Sequence, residues 1–394
     1  MREAAAHLYV HLPFCAHRCG YCDFVTAVGR QGEHSRYVDA LLAELSLERD
    51  ALAPRVETIF LGGGTPTFTE PAELERLLAA LPDADEVTVE ANPETVTPEV
   101  AALLHRNRVN RVSIGAQSFH SVLLGVLERR SGPEDVRRAV HVLRDAGFDN
   151  LSLDLVYGIP GQSASDLERD LAEALALEPE HLSAYELEAK PGTRFTRAHG
   201  AELERQAESM ESYFELVVET LTAAGYRWYE TANFCRIERA GSGRAGAALG
   251  HDGAARAAGA AAASDGRDLR ARHNLGYWLG HDYLGVGVGA VSTIENRRWR
   301  NAPSIRGYAA ALEAGRRPPR EVEALSDTTR EFERAMLGLR LDEPLALAEV
   351  GHAIDPGALR RLERLGLAER RDRAVGLTPR GRFLGDAVTA ELLA

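Results

Sequence analysis

The stretch His7-Leu8-Tyr9-Val10-His11-Leu12-Pro13-Phe14-Cys15-Ala16-His17-Arg18-Cys19-Gly20-Tyr21-Cys22-Asp23-Phe24 decides the fold. Its first six residues, His7 to Leu12, have the apolar and aromatic content of a short strand. The thiols follow directly, spaced C-x3-C-x2-C. A loop with that spacing folds back and points three thiolates at one centre. A cubane iron–sulfur cluster held by three thiolates keeps one iron open to another ligand, and dense soft donors suit such clusters. Structural zinc takes four protein ligands, usually as two separated pairs, so a zinc knuckle here needs His11 or His17 to complete it. Thiols this close form no disulfide framework, and clustered Cys without an export signal reads as metal or redox chemistry. The remaining Cys235 is isolated and reads as a buried, inert thiol.

Downstream, short β-type runs alternate with amphipathic helical stretches. The predicted strands are His7–Leu12, Val56–Leu61, Glu86–Ala91, Arg111–Ile114, Leu151–Leu155 and His181–Tyr185. Between them the periodicity predicts helices over Ser35–Ala51, Pro71–Leu81, Pro98–Asn107, Pro133–Ala146 and Ala164–Leu177, with a further helix over Glu202–Ala224. That alternation implies an α/β fold with a parallel sheet and right-handed crossovers. Six units are too few to close an eightfold barrel and suit a partial (β/α)6 barrel, whose chemistry collects at the C-terminal strand ends.

The polar motifs sit at those ends. Gly62-Gly63-Gly64-Thr65-Pro66-Thr67 follows the second strand, and glycines there let backbone amides approach a ligand closely, although a Gly run is also a tight turn. Glu90 ends the third strand, Gln117 follows the fourth and Asp154 lies near the end of the fifth. Each alone is an ordinary loop hydrogen-bonder, whereas together they converge above a parallel sheet. Gly285-Val286-Gly287-Val288-Gly289 superficially suggests a dinucleotide fingerprint, but it lacks the third spacing and a downstream acid.

The domain boundaries read as 1–235 for the barrel, 236–272 for a flexible Ala/Gly/Arg-rich insert, 273–322 for a region packing on the barrel, and 323–394 for a winged-helix-like C-terminal domain. The winged-helix reading rests on a helix ending at Gly366 and a β-ribbon around Ala374–Leu377. A net charge of −13, from 59 acidic and 46 basic residues, argues against a nucleic-acid partner. No apolar run is long enough to span a bilayer, and a strand starting at His7 allows no secretory signal. The expectation is a cytoplasmic protein whose membrane contact, if any, is peripheral.

C-x3-C-x2-C after a first strand is the signature of the radical S-adenosylmethionine (SAM) superfamily. Tyr9-Val10-His11-Leu12-Pro13-Phe14-Cys15 and Cys22-Asp23-Phe24 resemble its coproporphyrinogen-dehydrogenase-like branch, which holds that enzyme and the haem chaperones of the HemW family. The resemblance implies a [4Fe–4S] cluster on Cys15, Cys19 and Cys22. It implies SAM held by Gly63, Gly64 and Thr65 at its amino group, with further contacts from Tyr9, Glu90, Gln117, Arg129 and Asp154. Around Arg129 the sequence Leu127-Glu128-Arg129-Arg130-Ser131-Gly132-Pro133 departs from the usual Gly-Arg-x-His type of the branch, so Arg130 is an alternative.

The enzyme of the branch carries a fourth Cys two residues after the third, where this chain has Phe24, and normally has a longer segment before the cluster. Both departures point to the haem chaperones. Arg272-His273-Asn274-Leu275-Gly276-Tyr277-Trp278 matches their H-N-x-x-Y-W motif. The resemblance implies haem as cargo, held by His273, Asn274, Tyr277 and Trp278, and haem-dependent respiratory enzymes as recipients. An imidazole ligates haem iron, and Tyr and Trp offer flat apolar surface; the bland alternative is a His and Trp packed under the sheet edge. Acidic propionates need cationic partners, and Arg270, Arg272, Arg297 and Arg298 are near in sequence. The alternatives are oxygen-independent coproporphyrinogen III dehydrogenase and, from another class, a zinc-binding interaction module.

Overall fold

A computed structural model describes residues 4–190, 193–237 and 267–393. Six parallel strands form its centre: β1 (His7–Leu12), β2 (Val56–Gly63), β3 (Ala84–Ala91), β4 (Arg111–Gln117), β5 (Leu151–Tyr157) and β6 (His181–Glu186), paired in chain order. The crossovers carry α1 (His34–Leu47), α2 (Pro71–Ala80), α3 (Pro98–Arg106), α4 (Ser121–Val126), α5 (Pro133–Asp145) and α6 (Ala164–Ala176). Local chemistry sets the helix starts. Pro opens α2, α3 and α5, where its missing N–H costs nothing, and Ser163 with Asp166 forms a capping box on α6.

Strand parity separates two faces. Leu8, Val10, Leu12, Ile59, Leu61, Val89, Val112, Ile114 and Leu153 are completely buried in the main hydrophobic core, with apolar faces of α1, α2, α3 and α5. The opposite parity is polar: His7, Tyr9 and His11, then Thr58, Glu86, Thr88 and Glu90, then Arg111, Ser113, Ser152, Asp154, His181 and Ser183. The register aligns them in layers, His7–Thr58–Glu86 near the N-terminal ends and Glu90–Ser113–Ser152–His181 higher up. A sheet that buries polar side chains on one face has to satisfy them there. His181 does so between Ser152 Oγ at 2.8 Å and Tyr229 Oη at 2.7 Å.

The sheet does not stop at six strands. Beyond β6, α7 (Arg194–Ala207) and α8 (Met210–Ala223) lead to the hairpin β7 (Tyr226–Glu230) and β8 (Asn233–Arg236), with β8 antiparallel to β6. The helix expected over Glu202–Ala224 is thus two helices, broken at Glu208-Ser209. Beyond β1, the short helix α9 (Arg272–Trp278) precedes β9 (Tyr283–Val286), parallel to β1. Then β10 (Val291–Ile294), β11 (Arg297–Asn301), α10 (Ile305–Glu313) and β12 (Arg320–Ala324) complete a twelve-stranded sheet among the described residues.

The glycines of the 285–289 run serve this packing. A Cβ on Gly285 would lie 2.1 Å from the Val291 carbonyl oxygen, and one on Gly287 (φ +107°) would lie 2.7 Å from that of His11. Much of the expected insert, residues 238–266, lies outside the described residues, but its compositional end at 272 falls late. Leu269 and Ala271 are 1% exposed, and Leu269 packs in a cluster with Tyr229, Cys235, Leu275 and Leu341.

The C-terminal unit runs α11 (Asp327–Gly338), β13 (Leu345–Ala346), α12 (Leu347–Val350), α13 (Pro356–Arg364), β14 (Ala368–Arg371), β15 (Ala374–Leu377), α14 (Pro379–Phe383) and α15 (Gly385–Leu392). β13 pairs with β15 of the hairpin, giving the winged-helix arrangement around its own core. It docks on β7 through Arg227, bidentate to Asp342 at 2.7 and 2.9 Å, and through Arg382, whose guanidinium lies 3.7 Å from the Trp228 ring centroid. No helix among the described residues is long and apolar enough to cross a membrane.

Candidate functional site

The cysteine loop lies at the C-terminal mouth of the partial barrel, immediately after β1. A short parallel ladder between Phe14–Cys15 and Ala27–Val28 pins its base, and the Cys22 amide donates to the Cys19 carbonyl at 3.2 Å. Neighbouring strand ends hold it from the other side. The Gly64 and Thr65 amides donate to the carbonyls of Leu12 (2.7 Å) and Phe14 (2.8 Å), and the Gly20 amide donates to that of Leu127 (3.3 Å).

Each thiol has a defined environment. Cys15 is 7% exposed, with Sγ 3.4 Å from Thr65 Oγ1. That hydroxyl accepts from Asn92 Nδ2 at 3.0 Å, which leaves its proton for the Cys15 sulfur. Arg129 reaches Cys19 Sγ at 3.7 Å and donates to the Gly115 carbonyl at 2.6 Å. Burial pushes the Cys15 thiol up to about 11, with the Thr65 hydrogen bond and Arg129 opposing and the Cys22 and Cys19 thiols adding to the rise. Burial likewise raises Cys22.

The donor set fits an iron–sulfur cluster: three soft thiols on one loop, one cation beside them and no carboxylate among them. Buried polar atoms around the loop also lack partners, namely Arg129 Nε and Glu94 Oε2. Among the described residues no three His, Cys, Asp or Glu side chains are closed into a metal-holding group. His11 does not complete a zinc knuckle. It is 5% exposed and both its ring nitrogens are engaged, Nδ1 with Tyr9 Oη (3.0 Å) and Nε2 with the Val25 carbonyl (2.9 Å).

Glu90 and Asp154 lie on the same polar face of β3 and β5, on either side of β4. Glu90 Oε2 accepts from the Gly63 amide at 3.1 Å, and Ser113 Oγ donates to both Asp154 oxygens at 3.2 and 3.1 Å. Burial, then the Asp154 charge, lifts the Glu90 carboxyl to about 7; burial raises Asp154 as well. The cation facing both is Arg111, 2% exposed, two residues below Ser113 on β4. Two desolvated carboxylates with one guanidinium suit a cationic ligand, and SAM brings an ammonium and a sulfonium. Gln117 sits at a β-bulge with φ of +64°, a conformation a side-chain-bearing residue holds only when its surroundings enforce it. Its Nε2 closes over Gly115, where a Cβ would come within 2.7 Å.

The structure thus brings Cys15, Cys19, Cys22, Thr65, Gly115 and Arg129 into one network, with Gly63, Gly64, Glu90, Gln117 and Asp154 beside it. Tyr9 lies below, lining a cavity of about 230 Å³ with His11, Phe24, Tyr277 and Tyr283. Sequence reasoning missed Asn92, Arg111 and Ser113. The polar parity of β3 and β4 was the signal available for the last two.

The second motif is at the opposite end of the barrel. Glu86 caps α9 by accepting from the Arg272 and His273 amides, both at 3.2 Å. His273 is 1% exposed, and both its nitrogens are occupied, Nδ1 with Thr58 Oγ1 (2.8 Å) and Nε2 with Tyr277 Oη (2.9 Å). Burial, then the neighbouring His7, drops it to about 3. Tyr277 and Trp278 line a groove of about 980 Å³ between the β9–β11 side of the sheet and the winged-helix unit; Asn274 is half-buried. Cys235, 3% exposed and pushed up to about 12 by burial, belongs to the core beneath.

Comparison with known proteins agrees with this geometry. The Radical SAM superfamily model matches residues 9–174. The protein named Heme chaperone HemW of Mycobacterium tuberculosis (strain H37Rv) is 36% identical over 399 residues, covering 98% of this chain and 94% of that protein. Its namesake in Bacillus subtilis (strain 168) is 31% identical over 406 residues, covering 98% of each. Among solved structures, the radical SAM coproporphyrinogen III oxidase HemN of Escherichia coli superposes with a TM-score of 0.75 at 23% identity, covering 99% of this chain and 90% of that one, which shows the shared fold. With relatives of that extent and identity and the cysteine loop at the mouth of a partial barrel, the chain belongs to the heme chaperone HemW family of the radical SAM superfamily.

Proposed function

We propose that this chain is a haem chaperone that holds a [4Fe–4S] cluster on Cys15, Cys19 and Cys22, binds SAM against the strand ends, carries haem, and passes it to haem-dependent respiratory enzymes. The observation that carries the reading is the loop itself. It supplies three thiols, and the position two beyond Cys22 is Phe24, 64% exposed, in place of the fourth Cys of the coproporphyrinogen-oxidising branch. The HemW relatives, similar along nearly the whole chain, support the haem cargo.

Cluster and SAM together supply one-electron reductive cleavage of a sulfonium C–S bond. The protein's part is positional. Thr65 donates to the Cys15 sulfur, Arg129 places positive charge at Cys19, and the Gly63 and Gly64 amides are already held by Glu90 and Leu12, so it is their carbonyls that would accept from the SAM amino group. Glu90 and Asp154 supply negative charge toward its cationic groups, and Gln117, locked by its bulge, covers the strand end. Delivery to respiratory enzymes calls for a cytoplasmic protein with peripheral membrane contact.

Two assays on one anaerobic preparation test the proposal. One follows protoporphyrinogen formation from coproporphyrinogen with SAM and a reductant; the other follows haem binding by absorbance. Haem binding without porphyrinogen turnover is expected. Turnover without haem binding would replace the chaperone with the dehydrogenase.

A further inference from the structure

His273 carries the family-like motif yet is sealed in, so its role calls for another explanation. Its Nδ1 meets Thr58 Oγ1, which also meets His7 Nδ1 at 2.8 Å. His7 Nε2 in turn meets His281 Nδ1 at 3.0 Å, and the His7 and His281 rings stack with centroids 5.3 Å apart and planes 18° apart. The chain of contacts ends on His281, which is exposed, lines the 980 Å³ groove, and makes no hydrogen bond through Nε2 among the described residues. Building on the haem-cargo reading, we propose that His281 Nε2 is the imidazole nitrogen offered to haem iron in this groove, and that His273 is a positioning residue acting through Thr58 and His7.

The hydrogen-bond chain has an orientation that serves this role. His281 Nδ1–H donates to His7 Nε2, His7 Nδ1–H donates to Thr58 Oγ1, the Thr58 hydroxyl donates to His273 Nδ1, and His273 Nε2–H donates to Tyr277 Oη. Every imidazole is then neutral, and the only free lone pair is on His281 Nε2, the form a metal ligand needs. A ligating histidine whose other nitrogen is hydrogen-bonded is fixed in both tautomer and ring orientation. Burial favours the neutral rings: it lowers His7 to about 4 and His273 to about 3.

The groove suits a porphyrin. Tyr277, Trp278 and Tyr283 provide aromatic surface beside His281. The arginines on its wall are paired, so a propionate has to exchange with a carboxylate. Arg334 is the cheapest place, because its partner Glu349, at 3.1 Å, is 53% exposed, whereas Arg298 is held bidentately by the more buried Glu333.

Haemin titration of the full chain, read by Soret position and affinity, tests the assignment. His281→Ala should lose the histidine-ligated Soret band and bind about tenfold or more weakly. His281→Gly should regain the band when free imidazole is added, a response no structural role produces. His273→Ala should weaken binding but keep the native Soret maximum, and His273→Gln, which can still bond Thr58, should recover affinity. Native spectra and affinity in His281→Ala, with ligand loss in His273→Ala, would overturn the assignment while leaving the haem reading intact. A native protein that binds no haemin would overturn the haem reading, and this assignment with it.

Discussion

Gly64→Ala tests whether the second strand end holds the cysteine loop. A Cβ at Gly64 would lie 2.6 Å from the Pro13 carbonyl carbon, 2.7 Å from its oxygen and 2.8 Å from the Leu12 oxygen. All are backbone atoms, so no side-chain rotation relieves the overlap. The residues that must retreat, Leu12 and Pro13, are separated from Cys15 only by Phe14, and the Gly64 amide bonded to Leu12 at 2.7 Å moves with them. Overpacking of this kind costs about 1–3 kcal/mol. Part of that displacement reaches Cys15 and its 3.4 Å contact with Thr65. The expected outcome is a melting temperature lower by a few degrees and a clear drop in iron and sulfide retained after anaerobic reconstitution. Gly32→Ala, where a Cβ meets nothing within 4 Å, serves as control. Full cluster content and an unchanged melting temperature in Gly64→Ala would refute the argument that this strand end braces the loop.

With Glu90 lifted to about 7, SAM affinity should fall about tenfold between pH 8 and pH 6 as the carboxylate protonates, and Glu90→Gln should bind more weakly with that pH dependence flattened; isothermal titration decides it. His7 is lowered to about 4, below its unfolded value of 6.5, so the folded state binds fewer protons and stability present above pH 6.5 is lost as pH falls toward 4. The loss from His7 is on the order of 3 kcal/mol, and His7→Gln should shrink the acid slope of chemical denaturation. Arg129→Met removes the cation beside Cys19 and should shift the cluster's midpoint potential negative, on the order of tens of millivolts in a redox titration.

The barrel was legible because its signals are local. The predicted strand His7–Leu12 coincides with β1, and the other five lie within β2 to β6, because each is a short apolar run punctuated by helix-start Pro or Ser. The sheet extensions were not legible. β9 is four residues long, contains Gly285, and pairs in parallel with β1, from which it is far removed in sequence. β11, Arg297-Arg298-Trp299-Arg300-Asn301, is too charged to read as a strand, yet Trp299 packs inward while Arg298 pairs with Glu333. The break between α7 and α8 carries no Gly or Pro signal.

At the site, thiol spacing and strand-end polar residues pointed to one mouth of the barrel. The haem motif was legible as a pattern but not as geometry. Nothing in His273-Asn274-Leu275-Gly276-Tyr277-Trp278 reveals that the histidine faces Thr58, because Thr58 lies on a strand 215 residues away. The ionisation of Glu90 was also hidden, since it depends on Asp154 across two strand pairings.

The most direct test of the central claim is anaerobic reconstitution with iron, sulfide, zinc and EPR measurement on the native chain and a Cys19→Ala variant. The account predicts about four irons and four sulfides per native chain, a reduced-cluster EPR signal that changes when SAM is added, and loss of that signal in Cys19→Ala. One zinc with no sulfide in the native chain, or the full signal retained in Cys19→Ala, would contradict it.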